Sequence, residues 1–345
     1  MSSKIFLAGL VAVFSVVGVR LAGQALGPAP TYTFETSDPA CQVATLVSTG
    51  GGMPRNARTL ALRWTGYANY ELVYNGQVIL LDAAFDRGSI FPPLGFAAAD
   101  VKKADVILIG HGHADHMSDA ASIAARTGAI VVGAPVTTEK LLSQSLTAKQ
   151  VRTVTGRGGE VLEFRGVKIE PILGRHSVRQ TEITGAFEKA LQSVTPPLTP
   201  EQKAEQAPIS GRGVSDPRLA AEGTITYLIT LDGGFRILFR DSAGDITEYE
   251  RAAMKRLERV DVAIVAVEAS FLNTLTARRA LDYVRTYNPG VYMPAHHDAP
   301  YNDLWRATEP IFQVLKDDRP NLITISKGYR EPVCFNTDRR IGRTQ

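Results

Sequence analysis

Six histidines occur in this chain of 345 residues, and three of them fall within one hexapeptide, His111-Gly112-His113-Ala114-Asp115-His116. The others are His176 and the adjacent pair His296-His297. Neutral imidazole is a borderline ligand that suits zinc, iron or nickel, and the Asp115 carboxylate adds a hard oxygen donor. In a tight loop, side chains two residues apart can turn toward one point. These four donors are more than one open tetrahedral ion takes from a single loop. Two adjacent ions can share them, as in two-metal hydrolytic sites, where the ions stand about 3.5–4 Å apart. The competing reading is a solvent-exposed histidine-rich turn. The apolar run Asp105 to Ile109 argues against it, because a buried strand delivers the next residues at its carboxyl end.

The surrounding pattern supplies strands and helices to hold that loop. Residues 59–65 and 70–74 read as strands, and Asn75-Gly76 reads as a hairpin turn into 77–82, because both turn positions tolerate positive φ. A helix is predicted over 119–127, stopped at Gly128. A strand follows at 129–132, then a helix to about 145. Later strands are expected at 224–231, 235–239 and 260–267, with Asp232-Gly233-Gly234 turning between the first two. Helices at about 277–287 and 303–315 flank a strand at 291–293. A β-rich start followed by alternating β and α, repeated once, implies an α/β arrangement with helices outside two packed sheets. The stretch 181–222, with Pro196-Pro197 and Pro200, fits neither period. It reads as an insertion holding a short helix at 187–193 and then a Pro-rich, charged segment, either disordered or a functional lid.

The segment HGHADH resembles the HxHxDH signature of the metallo-β-lactamase superfamily, and the rest of the chain follows that superfamily's order of motifs over about residues 59–328. Asp82 closes a strand, as does the family's acidic residue that braces the ligand loop. His176 in Gly174-Arg175-His176-Ser177, Asp241 after the strand 236–239, and His296 in Pro294-Ala295-His296-His297-Asp298 match the later motifs. The string HGHADHMSD and the Pro-x-His ending are most similar to the branch of ascorbate-6-phosphate lactonase. The resemblance implies the αββα sandwich, two mixed β-sheets with helices on the outer faces. It implies one metal on His111, His113 and His176, a second on Asp115, His116 and His296, and Asp241 between them. The cofactor it implies is a pair of divalent ions, zinc first, with manganese or iron as alternatives. Asp119 is then a supporting residue or a helix N-cap. Arg240 stands where the family often has Gly, and Asp245 competes with Asp241 for the bridging place. Adjacent side chains of an extended segment point to opposite faces, so His296 is taken as the ligand and His297 as a catalytic residue that contacts substrate or donates to a reacting oxygen. Glu268 is a second candidate substrate contact. Arg175 reads as the partner of a surface carboxylate, or as an anion-binding residue.

The expected activity is hydrolysis in which a metal-bridging hydroxide attacks an ester, a lactone or a phosphodiester, with Asp115 or Asp241 orienting the nucleophile and taking its proton. No Ser-His-Asp arrangement presents itself, since Ser177 merely follows His176. Two other classes compete: an iron-dependent oxidoreductase of the same fold, and a non-catalytic metal-stabilised binding protein. The expected partner is a small-molecule or lipid-like substrate. Nucleic acid is disfavoured, because the net charge is only +3, two of it from Lys4 and Arg20 near the N-terminus, and no basic stripe remains. Lys4 followed by the uncharged apolar run 5–19 and small residues to Ala25 matches an export signal. The chain is therefore expected to be periplasmic or secreted, with residues 1–25 as a cleaved signal or a membrane anchor. Residues 26–58 read as a linker or irregular extension, and 59–345 as the hydrolase domain. The two cysteines, Cys41 and Cys334, are an even pair in an exported chain and can bridge its ends. The alternative is two separate buried thiols.

Overall fold

The computed structural model describes residues 31–341 apart from 145, 178–196, 258, 268–273 and 299–307. In chain order the strands are β1 Thr31–Phe34, β2 Thr59–Trp64, β3 Tyr70–Tyr74, β4 Gln77–Leu81, β5 Val106–Leu108, β6 Ile130–Gly133, β7 Val151–Thr153 and β8 Leu162–Phe164. They continue with β9 Val167–Leu173, β10 Ile225–Leu231, β11 Arg236–Arg240, β12 Val262–Ala266, β13 Val291–Ala295, β14 Ile323–Thr324 and β15 Pro332–Ile341. One sheet has the order β1-β15-β2-β3-β4-β5-β6-β7 and the other β14-β13-β12-β11-β10-β9-β8. Both are mixed. In the first, β4, β5 and β6 run parallel, and in the second, β11, β12 and β13 do. Asn75 and Gly76 close the β3–β4 hairpin at φ 48° and 75°, the left-handed pair such a turn needs.

Side-chain alternation sorts each strand between two layers. Leu60, Leu62, Ile79 and Leu81 point inward and meet Ile229, Ile237, Phe239 and Ile264 of the facing sheet. Val78, Leu80, Ile107 and Ile109 point outward, under Ile123 and Ala124 of the helix Ala120–Thr127. On the opposite outer face, Leu238, Ala263 and Val265 are covered by Tyr283 and Val284 of the helix Thr274–Tyr287 and by Leu315 of the helix Glu309–Asp318. The result is the helix–sheet–sheet–helix sandwich expected. Gly128 ends its helix at φ 78°, where Gly takes the left-handed turn without steric cost.

Three expectations need correction. The 26–58 stretch is not simply a linker: Thr31–Phe34 is an edge strand antiparallel to β15. Farther along, the buried Glu71 carboxylate draws residues 46–48 onto the sheet by accepting from the Val47 and Ser48 N–H groups at 3.0 and 2.7 Å while pairing with buried Arg63 at 3.1 Å. The Pro-rich segment of the insertion contains a helix, Pro200–Gly211, started by a Thr199–Gln202 capping box with Pro200 in its first turn, while the short helix expected at 187–193 lies outside the described residues. Residues 332–341, for which no strand was expected, form β15, which pairs with both β1 and β2. Cys41 and Cys334 are joined as a disulfide, with Cα atoms 6.0 Å apart. Among the described residues no helix is long and apolar enough to cross a membrane; residues 1–25 lie outside them.

Candidate metal centre

The strands β4, β5, β11 and β13 end at one edge of the sandwich, and chemistry-bearing residues follow each of them. Asp82 follows β4, residues 110–116 follow β5, Asp241 follows β11, and His296 follows β13. His176 follows β9 three residues on. The loop after β5 is stiffened by Asp82, itself at φ 58° and buried. Its Oδ1 accepts from the Gly110 N–H at 2.8 Å, and its Oδ2 lies 2.7 Å from His116 Nδ1. That contact fixes the His116 ring and leaves Nε2 for an ion, the usual role of a carboxylate behind a ligating histidine. Asp82→Asn is expected to weaken metal binding or turnover by about 10–100-fold, measured by zinc titration and steady-state kinetics; an unchanged variant would remove Asp82 from the site.

The loop then makes one short helix, Ala114–Met117, too short to register as a period in the sequence. His111 and His116 become buried, while His113 and Asp115 are half-buried and face outward. His111 Nδ1 lies 2.6 Å from Asp241 Oδ2, and His111 Nε2 lies 3.0 Å from His113 Nδ1. The His176 ring stands 4.7 Å from both the His111 and His113 rings, centroid to centroid. His176 Nδ1 donates to the Ser177 carbonyl at 2.7 Å, which turns Nε2 toward its neighbours. On the other side, His296 Nε2 lies 3.1 Å from Asp115 Oδ2, and His116 Nε2 lies 3.6 Å from the same oxygen.

Three groups bring their ligand atoms within 4.8 Å of one another: His111, His113 and His176; Asp115, His116 and His296; and His111, His116 and Asp241. Each group draws two side chains from the loop after β5 and one from the second sheet. Asp241 sits at the centre, with Oδ2 also 3.3 Å from His116 Nδ1. Its Oδ1 is buried without a hydrogen-bond partner. An unpaired buried carboxylate oxygen is costly, and a cation satisfies it. Gly110 makes this seat possible: a Cβ there would stand 2.1 Å from Asp241 Cγ. Asp245, the alternative bridging residue, is exposed and pairs with Arg279 at 3.5 Å instead.

The electrostatics agree with the donor set except at His296, where burial acts downward but the Asp115 carboxylate outweighs it and pushes the ring up to about 9. Burial pushes His113, His116 and His176 below the usual histidine range, and His111 well below it with help from its histidine neighbours. These rings are neutral, as ligation requires. Burial raises Asp241, and burial together with the Asp241 charge raises Asp82 well above the usual carboxylate range. Two buried carboxylates resist ionising together unless positive charge is placed between them. For Asp115, burial acts upward, but His116 and His296 outweigh it and hold the carboxyl well below its ordinary range. The residues present therefore fit divalent cations.

The ligand candidates line a cavity of about 220 Å³, together with Ser177, Ser242, Ala243, Ala266 and Val267. These five wall residues carry no motif that could have found them. His297 is a correction. It is buried and stacked on Trp64 at 3.9 Å and does not line this cavity. Of the adjacent pair, His296 reaches the cavity, from left-handed backbone at φ 55°. Asp119 stands at the N-cap position of its helix, but its side chain makes no capping hydrogen bond there. Its carboxylate accepts from the Phe85 and Asp86 N–H groups at 2.6 and 2.9 Å and pairs with Arg212 at 3.1 Å. Arg240 is buried against Glu250 at 2.9 Å, bracing the turn that follows Asp241. Arg175 is exposed, and Glu268 lies outside the described residues. The described part of the insertion packs on the flank of the loop, where Val214 N–H donates to the Gly112 carbonyl at 2.6 Å. None of residues 197–222 is among those lining the cavity.

A family described as a beta-lactamase superfamily domain matches residues 77–297. The chain is 23% identical over 256 residues to a UPF0173 metal-dependent hydrolase of Thermoplasma acidophilum, covering 74% of this chain and 90% of that one. It is 33% identical over 114 residues to a UPF0173 metal-dependent hydrolase of Thermoplasma volcanium, a stretch that covers 47% of the relative. Among solved structures, the metallo hydrolase Igni18 from Ignicoccus hospitalis superposes with a TM-score of 0.54 at 18% identity, covering 80% of this chain and 98% of its own. The diiron beta-hydroxylase CmlA of Streptomyces venezuelae superposes at 0.50 with 15% identity, over 54% of its length.

Proposed function

This chain belongs to the beta-lactamase superfamily and is a metal-dependent hydrolase, and on that premise we propose that it cleaves a compact ester, lactone or phosphodiester at a site holding two divalent cations. The observation that carries the reading is the place of Asp241, between His111 and His116 and with an unsatisfied buried oxygen. His111, His113 and His176 would hold one cation and Asp115, His116 and His296 the other, with Asp241 placed to serve either. Divalent cations there supply Lewis acidity, lowering the pKa of water toward about 7 and polarising the oxygen of the electrophile.

The protein's own part is positioning and proton transfer. The scissile group enters the 220 Å³ cavity between the imidazoles and the apolar wall of Ala243, Ala266 and Val267. Water adds to the carbonyl carbon or phosphorus, and its proton passes to Asp115 Oδ2, the half-exposed carboxylate on the cavity wall. The bond to the leaving oxygen then breaks, and Asp115 returns the proton to the departing alkoxide. The cavity lies at the small end of ligand sites, about 300–1,000 Å³, which favours a substrate with a short group at the reacting centre. Its mixed imidazole and apolar lining favours lactones and phosphodiesters over bulky bicyclic amides.

The test is metal content followed by a panel of lactones and phosphodiesters, with wild type and His113→Ala. The expected result is about two zinc or manganese ions per chain and turnover that His113→Ala abolishes. Activity surviving in His113→Ala rejects the reading. Two irons with visible absorption and no hydrolysis move the chain toward oxidative chemistry, as named for CmlA. A metal-loaded protein that turns over none of the panel is a binding protein.

The Cys41–Cys334 disulfide supports a location outside the reducing cytosol, periplasmic or secreted. Fractionation of a host expressing the full chain tests this, and recovery of reduced protein from the cytosol alone rejects it.

A further inference from the structure

His296 is held differently from the other candidate ligands. It sits on left-handed backbone at φ 55°, a conformation that a residue with a Cβ rarely adopts unless its surroundings impose it. Its N–H donates to the Tyr67 carbonyl at 2.7 Å, and the Trp64 indole N–H donates to the same oxygen at 2.8 Å. Tyr67, at φ 46°, is fixed in turn by its own N–H, which donates to Asp298 Oδ1 at 2.9 Å. Asp298 Oδ2 receives the Arg87 guanidinium and, at 2.7 Å, the Tyr329 hydroxyl. The other Arg87 terminal nitrogen donates to the Pro92 carbonyl at 2.7 Å and to the Tyr329 hydroxyl at 3.2 Å. The rings of Tyr67, Phe91 and Tyr329 surround the Arg87 Cζ at 5.0–5.1 Å. A Cβ on Gly66 would stand 2.6 Å from this guanidinium. Arg87 and Asp298 are 4% and 3% exposed, so an ion pair has been buried where apolar side chains would serve stability as well.

The circuit closes on His296 and touches none of His111, His113 and His176. We infer that Arg87 and Asp298 are positioning residues, a latch that holds His296 in place for the second cation alone; this rests on the two-cation reading above. The latch also explains why adjacent histidines diverge. His297 is drawn onto Trp64 while His296 turns toward Asp115.

The experiment uses the zinc-loaded full chain and a chromogenic chelator that withdraws zinc as its concentration rises. Wild type is expected to lose two ions per chain. Arg87→Lys keeps the charge without the two-pronged guanidinium, and Asp298→Asn keeps an acceptor for the Tyr67 N–H without the charge. In both, one ion is expected to be held as in wild type and the other about 10–100-fold more weakly. Tyr329→Phe removes one donor to Asp298 and is expected to give a smaller shift of the same ion, which keeps the test open if the stronger variants do not fold. Arg63→Lys, in a buried guanidinium bonded to Glu71 and the Ala40 carbonyl and to none of the candidate ligands, is expected to lower thermal stability and leave both zinc affinities unchanged. Equal weakening of both ions, no weakening of either, or selective loss in Arg63→Lys as well overturns the latch while leaving the two-cation reading intact. A wild type that holds only one ion overturns that reading, and the latch with it.

Discussion

Asp241→Asn is expected to give a folded protein that holds fewer than two zinc ions and hydrolyses neither lactones nor phosphodiesters above background. The substitution is nearly isosteric, so it respects the space that Gly110 leaves open, where any Cβ would collide with the Asp241 carboxyl. What it removes is charge. Asp241 is the group that approaches both His111 and His116, at 2.6 and 3.3 Å, and burial makes its ionised form expensive when no cation is near. Neutralising it therefore relieves the metal-free protein while depriving the loaded one of its shared ligand. Thermal unfolding without metal should be unchanged or slightly improved, while zinc content and turnover fall together. Retention of both ions with full activity would show that Asp241 does not stand between them.

Cys41→Ser is expected to cost about 2–5 kcal/mol of unfolding free energy. The disulfide spans 293 positions and fastens the short helix Pro39–Cys41 to β15 on the outer face of the first sheet. A loop this long greatly enlarges the unfolded ensemble when it is opened. Urea unfolding of the variant should show a lower midpoint, and because the denatured chain expands, a larger slope as well. Wild type treated with a thiol reductant should follow the variant. Coincident curves for variant, reduced and oxidised protein would mean that the β1–β15 pairing and the Glu71 and Arg63 contacts anchor the 31–58 segment without the disulfide.

The centre of the site was legible because chemistry concentrated there. Histidines within one hexapeptide after an apolar run leave few structural explanations, and the motif order extended the argument to His176, Asp241 and His296. The sandwich was legible for a related reason: the β-rich apolar runs of β2, β4 and β11 and the turn chemistry of Asn75-Gly76 act over short distances. What stayed hidden depended on partners far away in the chain. Nothing local announces that the Glu71 carboxylate will capture the Val47 and Ser48 amides, or that β15 will separate β1 from β2. The helix Pro200–Gly211 was obscured by its own Pro208, although the Thr199-Pro200 start followed by Gln202 is a recognisable capping box. The place of His297 was hidden too: its ring stacks on Trp64, and the left-handed turn at His296 beside it rests on Arg87 and Asp298, which carry no motif.

Every candidate ligand triplet takes two members from the first sheet and one from the second. An ion seated there is a rivet through both layers, and its binding energy counts toward holding them together. The heat resistance of this protein should therefore rise with free zinc long after the first site is full, and a melting curve becomes a gauge of how much metal its surroundings provide.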